Sequence, residues 1–249
     1  MKYIFKTILK YYLKYITKLV LFLHRPTIIA IAGSTNKTFV KEEITKVLRR
    51  QGIDVRANPK SFNTEIGLPL AILYLPSGYN SYRQWLPIVI RTFSRVWQKS
   101  FPRYLVLELG VSNPGDMKYL LSVIKPKIVV LTDITQRYLE SFSDMDELVG
   151  EYECLVKKMP ITGFLILNYD NPRIKVMKKE AKGQVIYYGI KEGADWQAKE
   201  IIKEKVGQII KVNYQNVTQP YKVNRFGQHH VYSLLIGLIV KHYVAKQRN

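Results

Sequence analysis

The sequence predicts an α/β fold: a mostly parallel sheet flanked by helices, with an N-terminal amphipathic helix over residues 1–25 and a short β-hairpin region near 196–223. Three observations predict it. Short apolar runs without polar alternation recur along the chain, as strands buried on both faces require. Stretches with helical spacing separate those runs, which is the order that crossover-connected parallel strands need. With 249 residues, 47% of them hydrophobic, the chain can bury a sizeable core and is not wholesale disordered.

The first element is "MKYIFKTILKYYLKYITKLVLFLHR", which places Lys2, Lys6, Lys10, Lys14 and Lys18 every fourth residue. A four-residue step drifts by about 40° around a helix, so these lysines cover one face. Ile4, Phe5, Ile8, Leu9, Tyr12, Tyr15, Ile16, Leu19 and Leu23 fall on the opposite face, with Leu13 and Val20 at the boundary. The apolar run near its end, "LVLFL", falls far short of the roughly 20 residues that a transmembrane helix needs. Lysines also interrupt any signal-peptide core, and no small-residue cleavage site follows. The pattern fits a helix lying in the interface of an anionic leaflet, peripheral on the cytoplasmic face of the membrane. The alternative is an ordinary surface helix packed on the domain, but nine large apolar groups on one face demand a cover and favour the membrane. Pro26, after His24 and Arg25, stops it.

Beyond Pro26 the strand-like runs are 27–32 "TIIAIA", 53–57 "IDVRA", 104–109 "YLVLEL", 127–132 "KIVVLT", 163–168 "GFLILN" and 184–189 "QVIYYG". Helical patterns cover 37–50, 82–99, 114–124, 144–158 and 171–181. Polar–apolar alternation over 196–223 predicts hairpin strands, and "QHHVYSLLIGLIVKHYVA" (228–245) closes the chain as a helix.

Charge narrows the partners. Thirty-nine lysines and arginines against 19 acids give a formal net charge of +20, which favours an anionic partner. No RNP motif, zinc finger or arginine-rich tract supports nucleic acid in that role. The single cysteine, Cys154, excludes an internal disulfide and a cysteine-based zinc site.

The chemistry gathers first at "IAGSTNKTF" (31–39), where a strand runs into a tight turn and then a helix. Backbone N–H groups at a helix start attract anions, so Gly33, Ser34, Thr35, Asn36, Lys37 and Thr38 are candidate phosphate-binding residues. Lys37 would reach the terminal phosphates and the Thr38 hydroxyl would ligate Mg²⁺. The generic pattern fails at both glycines, because Ile31 and Asn36 occupy those places. On the loop alone, a helix cap containing Lys-Thr is an equal reading. Glu108, ending an apolar strand, falls at the strand edge where α/β sites collect. A buried acid paired with a lysine is the alternative there.

Four further segments occur in one order: "SFNTEIGLPLAIL", "YLVLELGVSNPGDMKYLLSVIKPKIVVLTDI", "GFLILNYDNPR" and "FGQHHVYSLL". With the loop, they resemble the central ATPase domain of the Mur ligases over roughly residues 26–245. The resemblance implies a Mur-ligase-like ATP-binding domain at 26–249, a role in peptidoglycan metabolism, and ATP with Mg²⁺ as cofactors. It also implies amide-bond formation through an acyl phosphate, with Lys37 on the phosphates, Thr38 and Glu108 on Mg²⁺, and His230 at the adenine.

Departures from the family pattern fall at functional places. Asn36 replaces a glycine, although asparagine adopts a left-handed backbone more readily than other non-glycine residues. In "TDITQRYLE", Asp133 replaces an asparagine and Tyr138 a metal-binding histidine. A gapless alignment puts Tyr152 where the family has a carbamylated lysine, Cys154 where it has a glutamate, and His230 where it has an asparagine. Tyrosine neither forms a carbamate nor replaces imidazole well on a metal. The family's UDP-sugar and closing domains are not matched in the sequence. The expectation is therefore a degenerate, membrane-associated protein with little or no ligase turnover alone, with another envelope-synthesis protein as a candidate partner. Two alternatives stay open: an active ATP-dependent carboxylate–amine ligase completed by a partner chain, and a basic membrane- or nucleic-acid-binding module on a repurposed fold.

Overall fold

Within a parallel sheet, successive residues of a strand point to opposite faces, so a continuous apolar run demands cover on both sides. The computed structural model describes residues 2–247 except Lys60, Asn80 and Tyr138, and it meets that demand. The parallel strands are β1 (Thr27–Ala32), β2 (Val55–Ala57), β3 (Tyr104–Glu108), β4 (Ile128–Leu131), β5 (Phe164–Asn168) and β6 (Gln184–Gly189). They are followed by β7 (Trp196–Lys203), β8 (Gln208–Tyr214) and β9 (Val217–Val223), and the sheet order is β2-β3-β1-β4-β5-β6-β7-β8-β9. β7 pairs with β6 in parallel, and β8 and β9 then return antiparallel. The hairpin region expected at 196–223 is therefore a three-stranded antiparallel extension of one sheet.

Side-chain alternation sorts the core into two layers. Ile28, Ala30, Leu105 and Leu107 point to the face covered by α3 (Gly67–Leu73), α5 (Asp116–Val123) and α6 (Met145–Lys157). Ile29, Ile31, Val106 and Val130 point to the face covered by α2 (Lys37–Arg50) and α8 (Gln228–Lys246). The helix expected at 171–181 is a short α7 (Pro172–Val176) followed by a 3-10 turn at Met177–Glu180. Asn171 caps α7, its side chain accepting from the N–H groups of Arg173 and Ile174.

A third apolar cluster lies outside α3. It joins α1 (Lys2–His24) to α3 and to α4 (Tyr82–Val96) through Leu9, Leu13, Val20, Leu70, Trp85 and Ile88. Leu13 and Val20, placed at the boundary of the apolar face by the helical wheel, are at its centre and fully buried. The wheel counts apolar residues without knowing which side the domain occupies. Burying Leu9, Leu13 and Val20 contributes roughly 5–9 kcal/mol before the entropy of ordering the helix is subtracted. Polar contacts fix the docking: the Tyr12 hydroxyl lies 2.6 Å from Thr92 Oγ1, and Lys10 donates to Glu65 at 2.7 Å. Lys6 completes the contact at 3.2 Å from the other Glu65 oxygen. No described helix is long and apolar enough to cross a membrane.

Candidate nucleotide site

β1 lies between β3 and β4, in register Ile31↔Glu108 and Ala32↔Leu131. The loop that leaves β1 is therefore flanked by the ends of two neighbouring strands. Gly33 adopts φ +137°, and a Cβ there would come within 2.2 Å of Thr132 Oγ1, so only glycine lets the loop lie this close to β4. Thr132 Oγ1 donates to the Thr35 carbonyl at 2.7 Å, and Ser34 N–H donates to the Asp133 carbonyl at 2.7 Å. The segment after β4 thus holds the loop in shape.

Asn36 has the left-handed backbone expected of it, φ 65° and ψ 0°, directly before α2. Its side chain turns away from the loop's concave side and donates to the His229 carbonyl at 3.2 Å, at the start of α8. The N–H groups of Lys37, Thr38 and Phe39 open the helix and have no carbonyl within it to bond. Lys37 Nζ folds back onto the Gly33 carbonyl, and the Thr38 side chain faces solvent. Burial pulls the Lys37 ammonium below its ordinary range, Glu108 opposes that shift, and Arg137 adds to it.

Glu108 stands beside the loop and is buried. Lys41, one helical turn beyond Lys37, brings Nζ to 2.8 Å from Glu108 Oε1. Lys41 also donates to the Asn58 carbonyl at 2.8 Å, so its ammonium bridges the Glu108 carboxylate and the end of β2. Asn58 also accepts from Glu108 N–H at 2.9 Å and tethers the strand end to β2. Sequence reasoning missed Lys41 and Asn58. The spacing from Lys37 to Lys41 was the available signal, since it puts both lysines on one face of α2.

His230 sits on α8 against Phe39, ring centroids 5.1 Å apart, and beside His229 at 4.1 Å. Burial lowers its pKa, helped by His229 and Arg225, so the ring favours its neutral form. Phe39 and His230 are among the residues lining a cleft of about 810 Å³ between α2 and the β9–α8 segment. A planar base has aromatic faces to meet there.

The remaining sequence-predicted positions divide. Asp133 accepts from Ile134 N–H at 3.0 Å and from the Asn171 amide, which locks the β4 loop to the cap of α7. Tyr152 is 1% exposed and belongs to the apolar core beneath the sheet, while Cys154 on the same helix is partly exposed. Tyr138 lies outside the described residues. Among the described residues, no group of three or more His, Cys, Asp or Glu side chains could hold a metal by itself. A nucleotide-borne Mg²⁺ has a different requirement: one or two protein oxygens completing a shell of phosphates and waters. The Thr38 hydroxyl and the Glu108 carboxylate are oxygens of that kind, with Lys41 competing for Glu108.

A loop between a central parallel strand and a helix, with a lysine and a strand-end carboxylate beside it, is the arrangement of P-loop-type α/β domains. The profile of the Mur ligase middle domain matches residues 31–241, and the chain belongs to that family. Among curated relatives, it is 24% identical over 217 residues to the UDP-N-acetylmuramoyl-tripeptide–D-alanyl-D-alanine ligase of Haemophilus influenzae, covering 84% of this chain and 41% of that one. It is 28% identical over 160 residues to the ligase of the same name from Mycobacterium leprae, covering 64% of this chain and 26% of that one. The chain thus spans about two fifths or less of these relatives' length. The crystal structure of the MurF ligase from Thermotoga maritima in complex with ADP superposes with a TM-score of 0.76 at 21% identity, over 94% of this chain and 49% of that one. MurF from Acinetobacter baumannii gives 0.75 at 17% identity, over 94% and 46% of the two chains. Both likenesses concern the fold.

Proposed function

We propose that this chain binds Mg-ATP at residues 33–38 as a Mur-ligase-like protein of peptidoglycan metabolism, with weak or no amide-ligase turnover on its own. The observation that carries the reading is the pre-shaped loop: Gly33 against Thr132, Asn36 left-handed, Lys37 on the loop carbonyl and Glu108 on the adjacent strand. Incoming phosphate oxygens would replace the Gly33 carbonyl as partner of Lys37 and take up the N–H groups that open α2. Thr38 and Glu108 would supply the protein oxygens to Mg²⁺, which neutralises phosphate charge. His230 and Phe39 would face the base. The Thermotoga maritima MurF structure, a complex with ADP, supports a nucleotide at this fold.

Low turnover follows from residue chemistry. Tyr152, buried at the position where the resemblance expects a carbamylated lysine, offers no metal-binding carbamate. Lys37, Thr38 and Glu108 favour nucleotide binding, which is shared by the second reading, an active carboxylate–amine ligase completed by a partner chain. Peripheral attachment to the cytoplasmic face of a membrane through α1 belongs to the proposal as well.

Thermal unfolding with and without Mg-ATP tests the binding. At 100 times the dissociation constant, nucleotide adds about 2.7 kcal/mol, a rise of roughly 5–11 °C for a chain of this size. Lys37→Ala should abolish the rise, and no rise in the parent protein overturns the assignment. ADP release by the isolated chain at rates typical of an enzyme, about 1 per second or faster, would favour the second reading.

A further inference from the structure

The docked α1 keeps a second apolar stripe on its outside. Ile4, Ile8, Tyr15 and Phe22 are each more than half exposed, with Leu19 close behind. α4 carries a matching stripe: Leu86, Ile90, Phe93 and Trp97, spaced four, three and four residues apart and each more than half exposed. At about 100° per residue, the α1 stripe is turned about 150° from that helix's buried face, toward the flank of Tyr12. The α4 stripe is turned about 125° from its own buried face, toward the flank of Val89. Tyr12 and Val89 are the residues that join the two helices: the Tyr12 hydroxyl donates to the Val89 carbonyl at 3.3 Å. Farther along, His24 Nε2 lies 3.2 Å from the Val96 carbonyl, so both helices run in the same sense along one seam. Both stripes therefore lie on the sides of α1 and α4 that flank the Tyr12–Val89 contact.

The charge around it has a single sign. Residues 1–41 contain no Asp or Glu, and neither do residues 66–107, so neither α1 nor α4 carries an acid. Glu42, Glu43, Asp54 and Glu65 lie between those stretches, and Glu65, the one that meets α1, is taken up by Lys6 and Lys10. Lys18 and Arg25 on the α1 side, and Arg83 and Arg91 on the α4 side, are exposed at its margins. A long, convex, two-helix surface of isoleucine, leucine and aromatic rings with a purely cationic rim complements an anionic bilayer interface. It suits a second copy of the same chain poorly, because that would set cationic rim against cationic rim.

We infer that α1 and α4 together form a monotopic docking face for anionic lipid, with α4 inserting alongside α1. This deepens the membrane part of the functional reading and is independent of nucleotide binding. Of the three tryptophans only Trp97 is exposed, at 82%, against 5% for Trp85 and 8% for Trp196, so its fluorescence reports on α4.

The test uses the full chain with vesicles of phosphatidylcholine alone and of phosphatidylcholine with phosphatidylglycerol. Binding is expected to the anionic vesicles, with a blue shift of Trp97 emission and quenching by brominated acyl chains; Trp97→Phe should bind and lose that signal. Ile90→Ser and Phe93→Ser, each at an exposed position, should each weaken binding by about tenfold. Ile8→Ser with Phe22→Ser should weaken it likewise while sparing the buried face of α1. If the α1 variants lose binding while Ile90→Ser and Phe93→Ser do not and Trp97 stays unquenched, the two-helix face is overturned and attachment through α1 alone stands. Equal binding to neutral vesicles overturns the lipid charge preference. A Trp97 shift that grows with protein concentration without vesicles shows a second copy as the occupant and overturns the proposal.

Discussion

Lys41→Met tests whether the buried Lys41–Glu108 pair organises the site before any nucleotide arrives. The two charged groups lie 2.8 Å apart, with only 8% of each side chain exposed. Methionine keeps most of the lysine's length but removes its charge and its hydrogen bond to Asn58. Glu108 would then be a buried carboxylate without a counter-charge, and breaking a buried pair from one side costs about 3–5 kcal/mol. For a protein of this size, that lowers the melting temperature by about 6–20 °C. Glu108→Gln removes the other charge, and the double variant leaves neither group stranded. The double variant should therefore be more stable than the sum of the single effects by about 2–3 kcal/mol. The assay is urea and thermal unfolding of the parent and the three variants, all without nucleotide. Additivity to within about 0.5 kcal/mol would refute the reasoning, because it would mean that Lys41 and Glu108 do not sense each other in the free protein.

Asn36→Gly should keep the Mg-ATP-induced rise, since glycine adopts the same left-handed backbone, whereas Asn36→Val should lose about 1–2 kcal/mol of stability and most of the rise. Equal behaviour of the two in thermal unfolding would show that the loop does not depend on that conformation. Glu65 supplies a pH test. Burial pushes its pKa up, but hydrogen bonds and charge from Lys10 and Lys6 outweigh this and leave it below the ordinary carboxylate value. A depressed carboxylate pKa gives stability that is present above the unfolded-state value and is lost as pH falls through the folded-state value. Parent protein should therefore exceed Glu65→Gln by up to about 1 kcal/mol at pH 7 after solvent screening, and the gap should close near pH 3. An equal gap in urea unfolding at both pH values would refute the coupling of α1 to Glu65.

The strands and helices nearest the site were readable because their signals are local. "TIIAIA" is a run that only a two-sided sheet covers, and α2 begins at Lys37 and ends at Arg50, as the periodicity placed it. The left-handed Asn36 was likewise legible from the conformational range of that residue. α3 was not: "GLPLAIL" is a short apolar run that reads equally as strand or helix, and only packing on Leu105 and Leu107 decides it. Lys41 was hard to read for a different reason: its spacing from Lys37 put it on the same face of α2, but a lysine on a helix reads as solvated until a strand end brings a carboxylate to it. The outer stripe of α1 was counted with the inner one, because a wheel cannot separate two apolar surfaces of one helix without knowing where the domain lies.

Asparagine at position 36 does something that glycine in the same conformation would not. Its amide ties the turn to the first turn of α8, so the loop is anchored at Thr132 on one side and at His229 on the other. A loop held in shape by the protein's own contacts has little disorder left to lose when an anion settles into it, which favours capture. The same anchoring resists any later change of shape, such as the adjustments that follow transfer of a terminal phosphoryl group. On the proposed reading, the asparagine favours holding a nucleotide over processing one.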